Sequence, residues 1–290
     1  MLIFSHMRFG AHVSAAGGLW KAGIYGEELG CEVIQIFTRP PQGFGAKPIT
    51  DEDAEKFKAS MKEHGIKDVY VHAPYLINLA SEKNSTRYGS ISMLKQELNR
   101  GTQLGVKAMM FHPGSAKAVG RAAGIKMVAE ALSKVMDGYD GTTQLLIEIS
   151  AGAGEIMGDT FEEIAAFIDG AERGKEIGVC FDTQHAFASG YDLRTKEAVD
   201  KTFKMFDKII GLKKLVASHC NDSKVEFDAH KDRHEHLGKG FMGADSFKAI
   251  VQNPKLKHID LILETPFEGG GGSDTGRVED MKLLKKFRGK

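Results

Sequence analysis

Cysteine is scarce in this sequence, and the few cysteines are not arranged as a disulfide framework. Three occur among 290 residues, and no two of them form a Cys-x-x-Cys pair. An odd, widely spaced set argues against a disulfide-stabilised scaffold and favours a reducing compartment. The three are Cys31, Cys180 and Cys220.

Long hydrophobic runs and net charge are also missing. No stretch approaches the roughly 18 apolar residues that cross a bilayer. Residues 1–10 lack the charged start and long apolar core of a signal peptide. We therefore expect a soluble, cytoplasmic protein with no membrane partner. Lysine plus arginine and aspartate plus glutamate both number 39, so overall charge neither supports nor excludes a polyanionic partner.

The remaining composition is that of an ordinary globular protein. Hydrophobic residues make up 42% and charged residues 27%, which allows a substantial buried core. No composition shift or linker marks a boundary, so we expect a single domain over residues 1–290. The glycines at 269–272 are expected to form a flexible loop.

Short apolar runs alternate with helix-like stretches along the chain. This alternation indicates a parallel sheet, because parallel neighbours need a crossover connection. The number of units and the length favour an α/β fold of the closed (β/α)8 TIM barrel type over an open doubly wound sheet. Thr50 with Asp53 resembles a capping box that opens a helix over 51–64. The predicted strands are 8–13, 31–37, 68–72, 107–112, 144–149, 177–182, 214–219 and 259–264.

Histidines and carboxylates stand where these strands end. The strands of such a barrel present their C-terminal ends at one rim, where the active sites of this fold lie. Each strand from the third to the eighth delivers one such residue to that rim. They are His72, His112, Glu148, Asp182, His219 and Glu264.

A rim of this composition requires cations. Glu148 and Glu264 stand inside apolar runs, where an unpaired carboxylate would cost several kcal/mol. Like charges gathered at one place are stable only with counter-cations. Histidine and carboxylate ligands without cysteine indicate divalent ions, zinc foremost.

The loops after the sixth and seventh strands add three candidates. His185 follows Asp182 by three residues, so both can face the rim from one turn. Asp232 and His234 are two apart and point the same way if the segment is extended. Nine ligands suit two or three ions, and adjacent ions can clamp a phosphodiester and activate water.

Other histidines are expected to have supporting roles at most. We interpret His230 and His236 as residues behind the ligands or in solvent. His12, at the end of the first strand, either orients a ligand or is a satisfied core histidine.

Several segments, in order, resemble the endonuclease IV family of zinc-dependent apurinic/apyrimidinic endonucleases. The resemblance runs through nearly the whole chain, and the segments together are highly specific. They are GAHVSAAGG at 10–18, VHAPYLINLAS at 71–81, FHPGS at 111–115, IEISAGAG at 147–154, CFDTQHAFASGYD at 180–192, SHCNDSK at 218–224, KDRHEHLGKG at 231–240 and LILETP at 261–266.

This resemblance implies three zinc ions per chain, with manganese as the alternative at one position. It also implies that Glu148 is the catalytic residue, because it would bridge the first two ions and position the attacking hydroxide. The implied ligand sets are His72, His112 and Glu148; Glu148, Asp182, His219 and Glu264; and His185, Asp232 and His234.

The resemblance further implies cleavage of duplex DNA on the 5′ side of an abasic site. The products would be a 3′-hydroxyl and a 5′-deoxyribose phosphate, and blocked 3′ ends would also be substrates. Tyr75 and Leu76 match the family's residues that enter the duplex at the lesion, where a missing base lowers the cost of unstacking. Without the resemblance, simple packing of their loop would be preferred. We expect a monomer.

Two other functions remain open. A sugar isomerase or epimerase of the same barrel class also gathers Glu, Asp and His at the rim, but it does not require Asp232 and His234 as a third set. A non-catalytic protein that binds damaged DNA through structural zinc is the other alternative. Structural zinc sites are usually rich in cysteine, which counts against it.

Overall fold

Eight parallel strands close into one barrel in the computed structural model, which describes residues 7–43, 45–268 and 274–289. Each barrel strand pairs with the barrel strands before and after it in the chain, and the last pairs with the first. The predicted TIM barrel is therefore confirmed. The glycines at 269–272 lie outside the described residues. The barrel strands are β1 Phe9–His12, β2 Val33–Ile36, β3 Asp68–His72, β4 Ala108–Phe111, β5 Gln144–Glu148, β6 Gly178–Cys180, β7 Leu215–His219 and, after a short ribbon (β8 and β9), β10 Asp260–Leu263.

Helices cover the outside of the barrel between successive strands. The predicted capping box is present, since Asp53 N–H donates to Thr50 Oγ1 at 3.1 Å and Thr50 N–H donates back to the Asp53 carboxylate at 3.1 Å. In the described part of the chain, no helix is long and apolar enough to cross a membrane. The helices are α1 Lys21–Glu28, α2 Asp51–Glu63, α3 Asn84–Leu104, α4 Arg121–Met136, α5 Phe161–Gly170, α6 Thr183–Ala188, α7 Lys196–Ile209, α8 Ala244–Gln252 and α9 Thr275–Arg288.

Two short elements were not predicted, and both lie beside the rim. The helix α6 begins three residues after the end of β6, in a segment that lacks the length and periodicity of a typical helix. The loop after β7 contains an antiparallel ribbon of β8 Asp222–Ser223 and β9 His234–Glu235. Strands of two residues leave no alternation in the sequence that could reveal them.

Side chains enclosed by the strands form a small cluster apart from the main core. Tyr70, Met110 and Leu146 belong to this inner cluster, whereas Ile34 and Phe111 belong to the larger core under the helices. Because both faces of the strands are covered, the strands read as nearly continuous apolar runs.

The N-terminal end of the barrel is closed by a charge network around Asp260. This carboxylate is 2% exposed and accepts hydrogen bonds from Arg8 Nε at 2.9 Å and Lys107 Nζ at 3.0 Å. Tyr70, inside the barrel, donates its hydroxyl to the same carboxylate. Burial raises the pKa of Asp260, but the hydrogen bond from Arg8 and the charge of Lys107 outweigh it and hold this pKa below its ordinary value of 3.8.

The network predicts a stability loss for Asp260→Asn that depends on pH. A carboxylate whose pKa is depressed by folding stabilises the native state above its unfolded pKa, and this contribution is lost as the pH falls through the folded pKa. We expect the substitution to lower the free energy of unfolding by roughly 3 kcal/mol near neutral pH. The difference from wild type should shrink below the ordinary pKa of 3.8. Urea unfolding followed by circular dichroism measures both, and a difference that does not change with pH would contradict the assignment.

Candidate metal centre

The structure brings all nine predicted rim residues together at the C-terminal end of the barrel. Three of them are the last residues of their strands, namely His72, Glu148 and His219. His112 and Glu264 directly follow β4 and β10. The strand-end pattern therefore located the first six candidates correctly in the fold, with Asp182 two residues beyond β6.

The loops after β6 and β7 bring the remaining candidates to the same rim. Asp182 caps α6 by accepting the backbone N–H of His185 at 2.8 Å, so one helical turn presents both side chains. His234 opens β9 and donates from Nδ1 to the carbonyl oxygen of Glu264 at 3.1 Å. This hydrogen bond leaves Nε2 of His234 facing the cluster.

Glu148 lies at the centre of the cluster and is completely buried. Its Oε2 is 3.0 Å from Nε2 of His72 and 3.6 Å from Nε2 of His112. Its other oxygen, Oε1, is 2.8 Å from Nδ1 of His219. The two oxygens of one carboxylate thus face different groups of histidines.

Three groups of donor atoms are close enough to surround an ion, with all atoms of a group within 4.8 Å of one another. Two of these groups have the membership that the family resemblance implies. The third differs from the implied set because it contains Asp182 in place of Asp232. The groups are His72, His112 and Glu148; Glu148, Asp182, His219 and Glu264; and Asp182, His185 and His234.

Asp232 nevertheless lies beside the third group. Its Oδ1 is 3.2 Å from Nε2 of His234, and its Oδ2 is 3.4 Å from Nε2 of His185. Its side chain is 56% exposed, so it closes this part of the cluster from the solvent side. Asp182 and Asp232 therefore both lie beside this histidine pair, Asp182 completely buried and Asp232 exposed.

The pKa shifts favour protonated histidines next to ionised carboxylates in the cluster. Burial lowers the pKa of His72 and His185, but neighbouring carboxylates outweigh it and raise both. Burial raises the pKa of Glu148, but the charges of His112 and His219 outweigh it, so this pKa lies well below its ordinary value. A divalent cation would take the place of those protons on the same donor atoms.

His112 differs from the other rim histidines. Its side chain keeps 26% of its surface exposed, yet Nδ1 is inaccessible to water and has no hydrogen-bond partner among the described residues. Burial lowers the pKa of His112 to about 4. At neutral pH this imidazole is therefore uncharged, as a metal ligand must be.

The chemistry of the donors fits a divalent metal, and cysteine contributes none of them in the described clusters. Burial raises the pKa of the Cys180 thiol to about 11, so it is not a thiolate at neutral pH. Nitrogen and oxygen donors without sulfur suit zinc and manganese.

Gln35 supports the cluster and was missed by the sequence analysis. It is completely buried, donates from Nε2 to Glu264 Oε1 at 2.6 Å, and accepts at Oε1 from His219 Nε2 at 2.7 Å. These bonds turn Nδ1 of His219 towards the cluster, 3.3 Å from Oε2 of Glu264. A polar residue in the apolar run CEVIQIF was the signal that could have identified it.

His12 and Asn221 complete this support. His12 Nδ1 lies 2.9 Å from Gln35 Nε2 and 3.3 Å from Glu264 Oε1, so it is placed behind a candidate ligand. Asn221 donates to Asp182 Oδ2 at 2.8 Å and accepts the backbone N–H of Glu264 at 2.8 Å. No spacing rule in the sequence pointed to Asn221.

Tyr75 and Leu76 lie in the loop after β3, next to the cluster. Tyr75 is 60% exposed, and its ring centroid is 5.6 Å from that of His72 and 5.5 Å from that of Phe37. Its backbone N–H donates to the carbonyl of Pro41 at 3.1 Å, which joins the loops after β2 and β3. Leu76 is half-buried.

A cavity of about 1190 Å³ opens beside the cluster and was not predicted. It is lined by the loops after β1, β2 and β10 and by residues of α1 and α9, and it reaches His12, which lies behind Glu264. Its apolar wall includes Phe37, Pro40 and Phe267. None of the nine candidate ligands lines this cavity.

Comparison by sequence relates the chain to known proteins along most of its length. A family model described as a xylose isomerase-like TIM barrel matches residues 25–287. A probable endonuclease 4 of Chloroflexus aggregans is 39% identical over 260 residues, which are 89% of this chain and 91% of the relative. A probable endonuclease 4 of Halothermothrix orenii is 39% identical over 282 residues, covering 97% and 99%.

Comparison by structure gives a related result. Endonuclease IV from Thermus thermophilus superposes with a TM-score of 0.84 at 30% identity and covers 97% of this chain and 98% of its own. A D-tagatose 3-epimerase-like protein superposes with a TM-score of 0.70 at 15% identity, with 97% of both chains covered. The second likeness shows the fold alone.

The position of Gln35 predicts that it supports metal binding. Gln35→Ala removes hydrogen bonds to two candidate ligands, and loss of such outer partners weakens metal affinity by about 10–100-fold. Competition with a chromophoric chelator measures the dissociation constant. Gln144→Ala is the matched control, because Gln144 begins β5 at the opposite end of the barrel and donates to the carbonyl of Glu176. Equal affinities for both variants would contradict the role of Gln35.

Proposed function

Because the chain belongs to the endonuclease IV family, we propose that it is a zinc-dependent deoxyribonuclease that acts on abasic DNA. It would hydrolyse the phosphodiester 5′ of the abasic site in duplex DNA, leaving a 3′-hydroxyl and a 5′-deoxyribose phosphate. The same centre would remove blocking groups from 3′ ends. The observation that carries the proposal is the single rim on which eight candidate nitrogen and oxygen donors form three adjoining groups, with Asp232 beside the third.

We assign three zinc ions to this rim, with manganese as the alternative at one position. When bound, the ions would polarise the scissile phosphodiester and lower the pKa of the attacking water. The third ion is assigned to the histidine pair with Asp232, since both carboxylate oxygens of Asp232 face that pair. The assigned ligand sets are His72, His112 and Glu148; Glu148, Asp182, His219 and Glu264; and His185, Asp232 and His234.

Glu148 is proposed as the catalytic residue. One of its oxygens faces His72 at 3.0 Å and the other faces His219 at 2.8 Å, which suits a carboxylate shared between the first two ligand sets. Such a carboxylate would help to hold two cations and would orient the attacking water. Its low pKa keeps it ionised across the physiological range.

Tyr75 and Leu76 are proposed to enter the duplex at the lesion. The exposure of Tyr75 and its ring contacts with Phe37 and His72 support this role, because they place an aromatic wedge next to the catalytic rim. An absent base lowers the cost of unstacking, so a wedge of this kind favours abasic sites over intact duplex.

We propose that the protein acts as a monomer in the cytoplasm. Its three cysteines are unpaired and buried, which is compatible with a reducing compartment. Its partner would be duplex DNA with an abasic site or a blocked 3′ end.

A sugar isomerase or epimerase remains the second candidate because epimerase-like proteins share the fold. Such enzymes do not need His185, Asp232 and His234 as a third ligand set. Metal content therefore separates the candidates: about three zinc ions per chain favour the nuclease, and one manganese ion favours the isomerase.

The proposal predicts metal-dependent nicking of a duplex with one abasic site. Purified protein should cut on the 5′ side of the lesion, lose this activity after chelation, and regain it with zinc. His112→Ala should lose at least about 100-fold in kcat/KM together with part of the bound metal. His258→Ala is the control, since this exposed histidine precedes β10 at the other end of the barrel. Full activity in a metal-free sample would exclude the mechanism.

The wedge predicts a separate effect on substrate binding. Tyr75→Ala should raise the KM for the abasic duplex by about 10-fold, as expected for the loss of one aromatic contact to DNA. Metal content should not change. Tyr88→Ala provides the comparison, because this tyrosine is 48% exposed but lies on α3, outside the rim. If Tyr75→Ala leaves the KM unchanged, Tyr75 does not contribute to DNA binding.

A further inference from the structure

The loop that carries Asp232 and His234 is fastened to the last helix, α9. Asp280 on α9 is 3% exposed and accepts a hydrogen bond from Nδ1 of His236 at 2.7 Å. The backbone N–H of Leu237 donates to the other oxygen of the same carboxylate at 3.0 Å. One buried carboxylate thus holds the chain two and three residues beyond His234.

The same carboxylate also holds the segment after β10. Thr265 is completely buried and donates its hydroxyl to Asp280 Oδ2 at 2.8 Å. Thr265 directly follows Glu264. One turn earlier on α9, Arg277 donates to the carbonyl of Thr265 at 2.9 and 2.7 Å.

The helix approaches His236 too closely for this arrangement to shift freely. A Cβ atom on Gly276 would lie 2.3 Å from Cε1 of His236, so the backbone of α9 lies directly against the imidazole ring. His236 is only 1% exposed. It is therefore not the solvent histidine that one reading of the sequence allowed.

These contacts complete a ring of interactions that includes two candidate ligands. At the rim, Nδ1 of His234 donates to the carbonyl of Glu264 at 3.1 Å. Behind the rim, Asp280 joins His236 to Thr265. His234 and Glu264 are thus tied together twice, once directly and once through α9.

We propose that Asp280 is a positioning residue that sets the spacing between His234 and Glu264, and hence between the second and third ligand sets. The inference rests on the proposed function only in taking the rim as a metal centre. A carboxylate suits the position because it accepts hydrogen bonds from His236, Leu237 and Thr265 at once. The amide of Asn would turn an N–H group towards one of them.

Cobalt substitution in the full-length protein tests this inference, because the visible absorption of bound Co²⁺ reports the geometry of its ligands. We expect Asp280→Asn to change the cobalt spectrum and to weaken the affinity for one ion by about 10–100-fold. In the zinc enzyme, kcat on the abasic duplex should fall, while KM stays within about twofold of wild type.

Two control variants separate positioning from general destabilisation. Glu279→Gln removes a neighbouring charge on α9 that is exposed and paired with Lys282. Asp260→Asn disrupts a buried carboxylate at the opposite end of the barrel. Both should keep the wild-type cobalt spectrum. The inference is overturned if Asp280→Asn also keeps it, or if Asp260→Asn changes it to the same extent.

Thr265→Val tests the same inference if Asp280→Asn does not fold. Thr265→Val removes one arm of the ring and keeps the size of the side chain, so it should change the cobalt spectrum in the same direction. An unchanged spectrum in that variant would also overturn the inference. If the wild-type protein binds cobalt but does not nick DNA, the proposed function is refuted. The cobalt spectra of the variants would then still decide whether Asp280 is a positioning residue. Wild-type protein that binds no divalent ion would refute both.

Discussion

Mutual repulsion of the carboxylates at one rim is the constraint on which the rest of this structure depends. Glu148 is entirely buried, and Asp182 and Glu264 contribute to the same group of donor atoms. Negative charges this close are stable only when positive charge lies between them. Without an ion, imidazoles in contact with the carboxylates supply it, as the raised pKa values of His72 and His185 indicate. A divalent cation would supply the same positive charge on the same donor atoms.

The barrel makes this cluster possible because many strands end at the same place. No single strand carries more than one candidate ligand, and only the turn at 182–185 and the segment at 231–236 carry two each. Side chains outside the cluster hold the candidate ligands in position. Gln35 and Asn221 each bond to two rim residues, and Asp280 acts from the last helix. Fixed geometry at a metal centre commonly depends on such outer partners.

The sequence was sufficient for the fold and for the location of the candidate site, but not for the groups that support it. Eight apolar runs predict eight strands because a strand buried on both faces appears locally as a short continuous apolar run. His112 and Glu264 were identified because a polar residue at the end of such a run is unusual. The roles of Gln35 and Asp280 could not be read this way, since Gln35 bonds to residues 184 and 229 positions away. The approach of Asp182 to the pair formed by His185 and His234 likewise depends on how α6 begins, and α6 is too short to show a periodic pattern.

The charge network around Asp260 lies at the other end of the strands from the rim. β10 has four residues, so these two ends are about 10–13 Å apart. Substitutions at that separation usually have additive effects on stability. Loops at the rim can thus diverge in length and sequence without weakening the charge network at the N-terminal end of the barrel. This division makes the rim a suitable place for grafting new recognition loops onto an unchanged scaffold.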